Sequence, residues 1–264
     1  MNYISAYCTD AGAIKRINQD SLCIKSAASG KNEYILAAVC DGLGGLSDGE
    51  TASAFVICRL SDWFEESLPE LIKQEKTVLQ IRKALDEALH DANDRLNAYS
   101  EKSRKLLGTT MSLLLYLGNH QKIITAHAGD TRIYQITDSR TDILTTDHSV
   151  LADEIKNGNI SEEEALNDRR QNQLTRCMGA QLENTAFDYS IIPAETEVTY
   201  MICSDGFRKK ITAEDISEKL RPGLISDEAA GEKSLRALTD MCIAAKETDN
   251  ITSLIVKLTE KADL

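Results

Sequence analysis

Short apolar runs alternate with longer amphipathic stretches along this chain. Tyr3–Cys8, Ser21–Ser26 and Tyr34–Cys40 are rich in Ile, Leu, Val and Tyr and are divided by Gly, Asn and Asp. That pattern predicts strands. A glycine-rich loop, Asp41–Gly49, follows. Glu50–Leu68 reads as a helix stopped by Pro69. Thr77–Tyr99 carries Val78, Ile81, Leu85, Leu89, Ala92 and Leu96 at three- and four-residue spacing, the signature of an amphipathic helix. Strands return at Thr109–Leu117, Lys122–Ala128, Thr131–Thr137 and Ile143–Thr145. The turns between them are short, so these strands are expected to pair antiparallel.

Residues 147–180 are polar and charged, with helical patches near Val150–Lys156 and Glu162–Leu166. They read as a flap inserted on the surface of a single domain spanning 1–264. Strands at Ala186–Ile192 and Glu197–Cys203, a helix near Ser226–Ala245 and a last strand at Asn250–Leu258 complete the chain. Runs of strands alternating with runs of helices predict an α+β fold of antiparallel sheets covered by helices.

Composition narrows the function. The net charge is −12, which disfavours nucleic acid and anionic membranes as partners. The seven cysteines show no Cys-x-x-Cys spacing and mostly sit in apolar runs, as reduced core thiols do. The N-terminus has no basic-then-apolar signal, and no apolar run could span a bilayer. A cytoplasmic location is expected.

The candidate chemistry is acidic. Asp20, Asp41, Asp130, Asp205 and Asp249 stand where predicted strands start or end. Aspartate fits strands poorly and is costly near a core unless its charge is compensated. Each alone reads as a turn residue. Five together point to hard oxygen ligands for Mg²⁺ or Mn²⁺. The four histidines show no zinc-site spacing. Glycines after Asp41 and Asp205 would let backbone approach a metal or its water.

The motifs then resemble a known family. Thr9-Asp10-x-Gly12 with Asn18-Gln19-Asp20-Ser21, Asp41-Gly42-Leu43-Gly44-Gly45, Gly108-Thr109-Thr110 and Gly129-Asp130-Thr131-Arg132 occur in order. Asp147-His148-Ser149, Leu174-Thr175-Arg176-x-Met178-Gly179, Ser204-Asp205-Gly206-Phe207 and Asp249-Asn250-Ile251-Thr252 follow. Together they resemble the type 2C, metal-dependent Ser/Thr protein phosphatases in their short bacterial form. The resemblance implies a four-layer α-β-β-α sandwich with two Mn²⁺ or Mg²⁺ ions. Asp41 would bridge the two ions. Asp205 and Asp249 would complete the first site and the Gly42 carbonyl would serve the second. Asp20 would be a metal residue that ligates or orients metal-bound water, with Gln19 in the outer shell, and Asn250 would contact water or phosphate. Asp130 with Asp205 matches a third metal position.

The implied reaction is direct attack on phosphorus by a hydroxide bridging two cations. No cysteine lies in a Cys-x5-Arg phosphate cradle, which disfavours a cysteine nucleophile. The family's phosphate-gripping arginine is here Lys15, with Arg16 beside it. Lysine offers a point charge without a fork. Leu43 stands where some members carry a histidine acid. His127 and His148 read as packed or structurally hydrogen-bonded. The implied partners are phosphoprotein substrates and a cognate Ser/Thr kinase, with the enzyme monomeric. The alternative reading is a catalytically weak relative acting as a regulatory binding module.

Overall fold

The computed structural model describes residues 1–43, 48–165, 168–180 and 186–260. The motif residues Gly44 and Gly45, and Leu166 of the second flap helix, lie outside the described residues. Strands β1 (Asn2–Asp10), β12 (Ile251–Thr259), β11 (Val198–Cys203), β7 (Arg132–Ile136) and β8 (Thr141–Ile143) form one antiparallel sheet in that order. Strands β10 (Asp188–Pro193), β6 (Lys122–Ala128), β5 (Met111–Leu117), β3 (Asn32–Asp41) and β2 (Asp20–Ser29) form the other.

The sheets lie face to face. In β3 the side chains alternate between two cores. Ile35, Ala37 and Val39 meet Ile202, Leu254 and Val256 of the first sheet. Tyr34, Leu36, Ala38 and Cys40 pack against helices α1 (Gly49–Asp62) and α3 (Val78–Ser103). Burial on both faces explains why this strand is apolar throughout. The first sheet's outer face packs on α7 (Ala213–Leu220) and α8 (Glu228–Ala244) through Met201, Ile216, Leu235 and Leu238. The result is the expected α-β-β-α sandwich.

Local chemistry sets the helix ends. Thr77 caps α3 and exchanges hydrogen bonds with Gln80 in a capping box. Pro69 does not end a helix, contrary to expectation. The chain opens into one π turn at Trp63–Ser67, and Pro69 falls in the first turn of α2 (Leu68–Lys73). A missing N–H costs little there. Trp63 is buried in the helix-side core.

One pairing expectation fails. Strands β6 and β7, joined by Gly129-Asp130-Thr131, belong to different sheets. Gly129 has φ +118°, and a Cβ there would strike Thr110. This residue lets the chain turn sharply enough to cross between layers. The crossing delivers Asp130 to the end of the sandwich where the other aspartates gather.

Candidate active site

The strand registers place the aspartates at one rim. Asp20 and Asp41 are direct cross-strand partners at the end of the β2–β3 ladder. Cys203 pairs with Ser253 and with Arg132 at the same end of the first sheet. Asp205 and Asp130 stand two residues from Cys203 and Arg132, and Asp249 stands four residues before Ser253. Asp205 was expected at a strand end, but it opens the short helix α6 (Asp205–Arg208). Like charges opposed across a ladder are unfavourable, so the rim requires compensating positive charge.

The electrostatics express that need. Burial, then repulsion from Asp20, Asp205, Asp130 and Asp249, holds the Asp41 carboxyl well above its usual range. Asp41 keeps some solvent contact, yet protein surrounds it closely enough for desolvation to dominate. Burial also pushes Asp20 up to about 7, with Asp205 and Asp249 adding to the rise. The nearby Thr252 and Ser204 hydroxyls act against that rise, but among the described residues neither Asp20 oxygen has a partner in hydrogen-bond geometry. Asp130 is pushed up to about 6 by burial and Asp205, with Arg208 opposing.

Among the described residues, both Asp20 oxygens and Asp205 Oδ1 are buried without a hydrogen-bond partner. Buried polar atoms are seldom left so. Among the described residues, no group of three His, Cys, Asp or Glu closes into a ready cation cage. The carboxylates converge without touching. Their oxygen-only chemistry and orphaned atoms fit divalent cations.

Backbone contacts hold this geometry. The Asp41 N–H donates to Thr110 Oγ1 at 3.0 Å, and Thr109 Oγ1 donates to the Asp41 carbonyl at 2.8 Å. The Gln19 carbonyl accepts from Gly42 N and Ser53 Oγ. Gln19 Nε2 donates to Glu50 Oε2 at 3.2 Å. The glycines also serve packing. A Cβ on Gly42 would strike the Gly49 carbonyl, and one on Gly206 the Asn250 carbonyl. Their absence of side chains therefore permits close backbone packing.

Asn250 is buried, and its amide is already engaged. Nδ2 donates to the Ala11 and Ile17 carbonyls at 2.9 and 3.2 Å. Oδ1 accepts from Gln19 N at 2.9 Å. These three bonds make Asn250 a pin that fastens residues 11–19 beside Asp249. On that segment Lys15 Nζ lies 3.2 Å from Asp249 Oδ1. Arg16 is exposed.

His148 is structural, as read from the sequence. Gly129 N–H donates to its Nδ1 at 3.2 Å, so Nε2 carries the proton toward Asp188 Oδ2 at 3.0 Å. His127 is buried between Ser112 and the Thr146 carbonyl. Burial, reinforced by His148, lowers its pKa to about 4. Two cations escaped the sequence reading. Arg208 and Lys209, just beyond the Ser204-Asp205-Gly206-Phe207 motif, reach back onto Asp130 and Asp205. The i,i+4 spacing of Asp205 and Lys209 was the available signal.

Residues 13–241 match the protein phosphatase 2C family. The chain belongs to that family and is an enzyme of the serine/threonine protein phosphatase class. It is 29% identical over 255 residues to the serine/threonine phosphatase stp of Listeria monocytogenes, covering 96% of each chain. The solved serine/threonine phosphatase of S. agalactiae superposes with a TM-score of 0.82 at 25% identity, over 97% of this chain and all of that one. The catalytic domain of the phosphatase PstP, solved in complex with 2 manganese ions, superposes with a TM-score of 0.75 at 24% identity. That match covers 98% of this chain and 100% of the domain. No helix among the described residues is long and apolar enough to cross a membrane.

Proposed function

We propose that this protein hydrolyses phosphoserine and phosphothreonine in proteins using two Mn²⁺ or Mg²⁺ ions, and that it opposes a Ser/Thr protein kinase. The observation that carries the two-ion reading is the orphaned buried oxygens of Asp20 and Asp205 beside Asp41. Asp41, on which the other four rim aspartates all act, would be the principal carboxylate holding the ions. Asp20, Asp205, Asp249 and the Gly42 carbonyl would complete their surroundings. The ions would supply an acidified water and neutralise phosphate charge.

The chain's own residues do the rest. The β2–β3 ladder and the Thr109-Thr110 hydrogen bonds hold Asp41 in place. Asn250 fixes segment 11–19, and Gln19 braces Glu50 beside the centre. Lys15, on the fixed segment, presents an ammonium at the edge of the acidic cluster where a phosphate dianion would enter. Residues 147–180 form a flap on one catalytic domain and would bear on substrate choice.

The test is hydrolysis of a phosphothreonine peptide. Turnover is expected with Mn²⁺ or Mg²⁺, and stripping metal with excess chelator should reduce it to background. Undiminished turnover by the stripped protein would sink the reading. A catalytically inactive binding module would show no turnover with either ion.

Lys15→Ala should raise KM for the phosphopeptide roughly tenfold, about the worth of one charge-assisted hydrogen bond. Lys15→Arg should retain activity. Steady-state kinetics of Lys15→Ala and Arg16→Ala decide between the two cations. An unchanged KM in the first with a raised KM in the second would move the phosphate contact to Arg16.

A further inference from the structure

The family resemblance places a third cation between Asp130 and Asp205. In this chain those carboxylates already have cationic partners. Arg208 Nε donates to the Asp130 carbonyl at 2.9 Å, and Nη2 donates to Asp130 Oδ2 at 2.9 Å. The same Nη2 lies 3.2 Å from Asp147 Oδ2. Lys209 Nζ lies 2.5 Å from Asp205 Oδ2 and donates to Asn172 Oδ1 at 3.1 Å. The two oxygens of Asp205 are therefore unlike. Oδ2 is paired with an ammonium, while Oδ1 is buried without a partner.

Both cations come from the end of α6 and the residue after it. Position 208 is three residues and position 209 four residues beyond Asp205, so both return along the same helical face. Arg208 is only 14% exposed and lies against two carboxylates. A guanidinium stays charged at any working pH. A divalent ion entering at Asp130 Oδ2 would have to displace the buried guanidinium from that oxygen, leaving it only Asp147, which Arg132 already shares, and setting two cations side by side, which is unfavourable.

Resting on the two-ion reading, we infer that Arg208 and Lys209 permanently replace a third cation. They neutralise Asp130 and the outer oxygen of Asp205, and the centre holds two exchangeable ions. Asp205 Oδ1 stays available to the pair. Lys209 also ties Asn172 to the same carboxylate. Residues 147–180 are thus fastened to the centre by a covalently attached charge, and their anchorage does not vary with free metal concentration.

The test counts Mn²⁺ bound per full-length chain by equilibrium dialysis with elemental analysis, up to millimolar free Mn²⁺. Wild type should saturate at two ions, and Asp130→Asn should leave the count at two. Arg208→Met combined with Lys209→Met should raise it to three, and adding Asp130→Asn should return it to two. Because Arg208 is buried, the double variant can fail to fold; the wild-type and Asp130→Asn counts decide the matter without it. A wild-type count of three that falls to two in Asp130→Asn overturns the inference and leaves the two-ion catalytic reading standing. A wild-type count of zero overturns that reading and the inference with it.

Discussion

Asp41→Asn is expected to lower kcat by on the order of a thousandfold or more, the largest effect of any single substitution at the rim. The amide keeps the shape of the side chain and removes its charge. Asp41 is the carboxylate that every other rim aspartate repels, so it lies where two ions would share a ligand. The same substitution separates catalysis from folding. Without metal, removing one of five converging charges should leave the protein as stable as wild type or slightly more so. With saturating Mn²⁺, wild type gains stability by mass action, and the variant should gain much less. Thermal unfolding of both proteins with and without Mn²⁺ measures this. Equal metal-induced shifts would remove Asp41 from the centre and reopen the assignment of the others.

The second large effect is an inverted pH dependence. Metal-free protein should lose stability as pH rises from about 4 to about 7. Asp20 titrates at about 7 and Asp130 at about 6 in the folded state, against 3.8 ordinarily, and Asp41 is shifted in the same direction. Between the ordinary and the raised values, the folded state retains protons that the unfolded chain has released. Stability then falls with rising pH, and the loss is complete once the raised values are passed. The fall in melting temperature should be on the order of 10 °C, from a few kcal/mol in a chain of this size. Carboxylates shifted downward, such as Asp168 at about 2, act below this window. His127, lowered from 6.5 to about 4, acts inside it with the opposite sign and offsets part of the fall, so the decline should be steeper in a His127→Gln background. Mn²⁺ should reverse the trend, because ion and protons compete for the same oxygens. Melting curves from pH 4.5 to 7.5 in chelator and in Mn²⁺ check both halves. A metal-free melting temperature that stays flat or rises across that range would show that the rim charges are already compensated.

Much of this was legible before folding. The apolar run Tyr34–Cys40 reads as a strand, and the three- and four-residue spacing from Val78 to Leu96 reads as the long helix. The motif order carried the family, and the aspartates carried the oxygen-ligand chemistry. Other features left a local signal that was passed over. Thr212 and Asp215 form a capping box for α7, in a stretch the spacing of apolar residues assigned to no element. Lys209 stands one helical turn beyond Asp205.

The chain by itself determined the elements, the family and the kind of atom at the rim, because these depend on side-chain type and on spacing within a few residues. Tertiary structure decided which atoms meet. Asn250 is spent on a segment more than two hundred residues away in sequence, as the Gln19 contact shows. The short link at Gly129–Thr131 joins two sheets, where local pattern suggested a hairpin. Asp20 faces Asp41 only through strand register, and Arg208 finds Asp130 only because α6 ends beside that crossing. Such pairings depend on how layers are stacked, and hydrophobic burial over the whole sandwich sets that stacking.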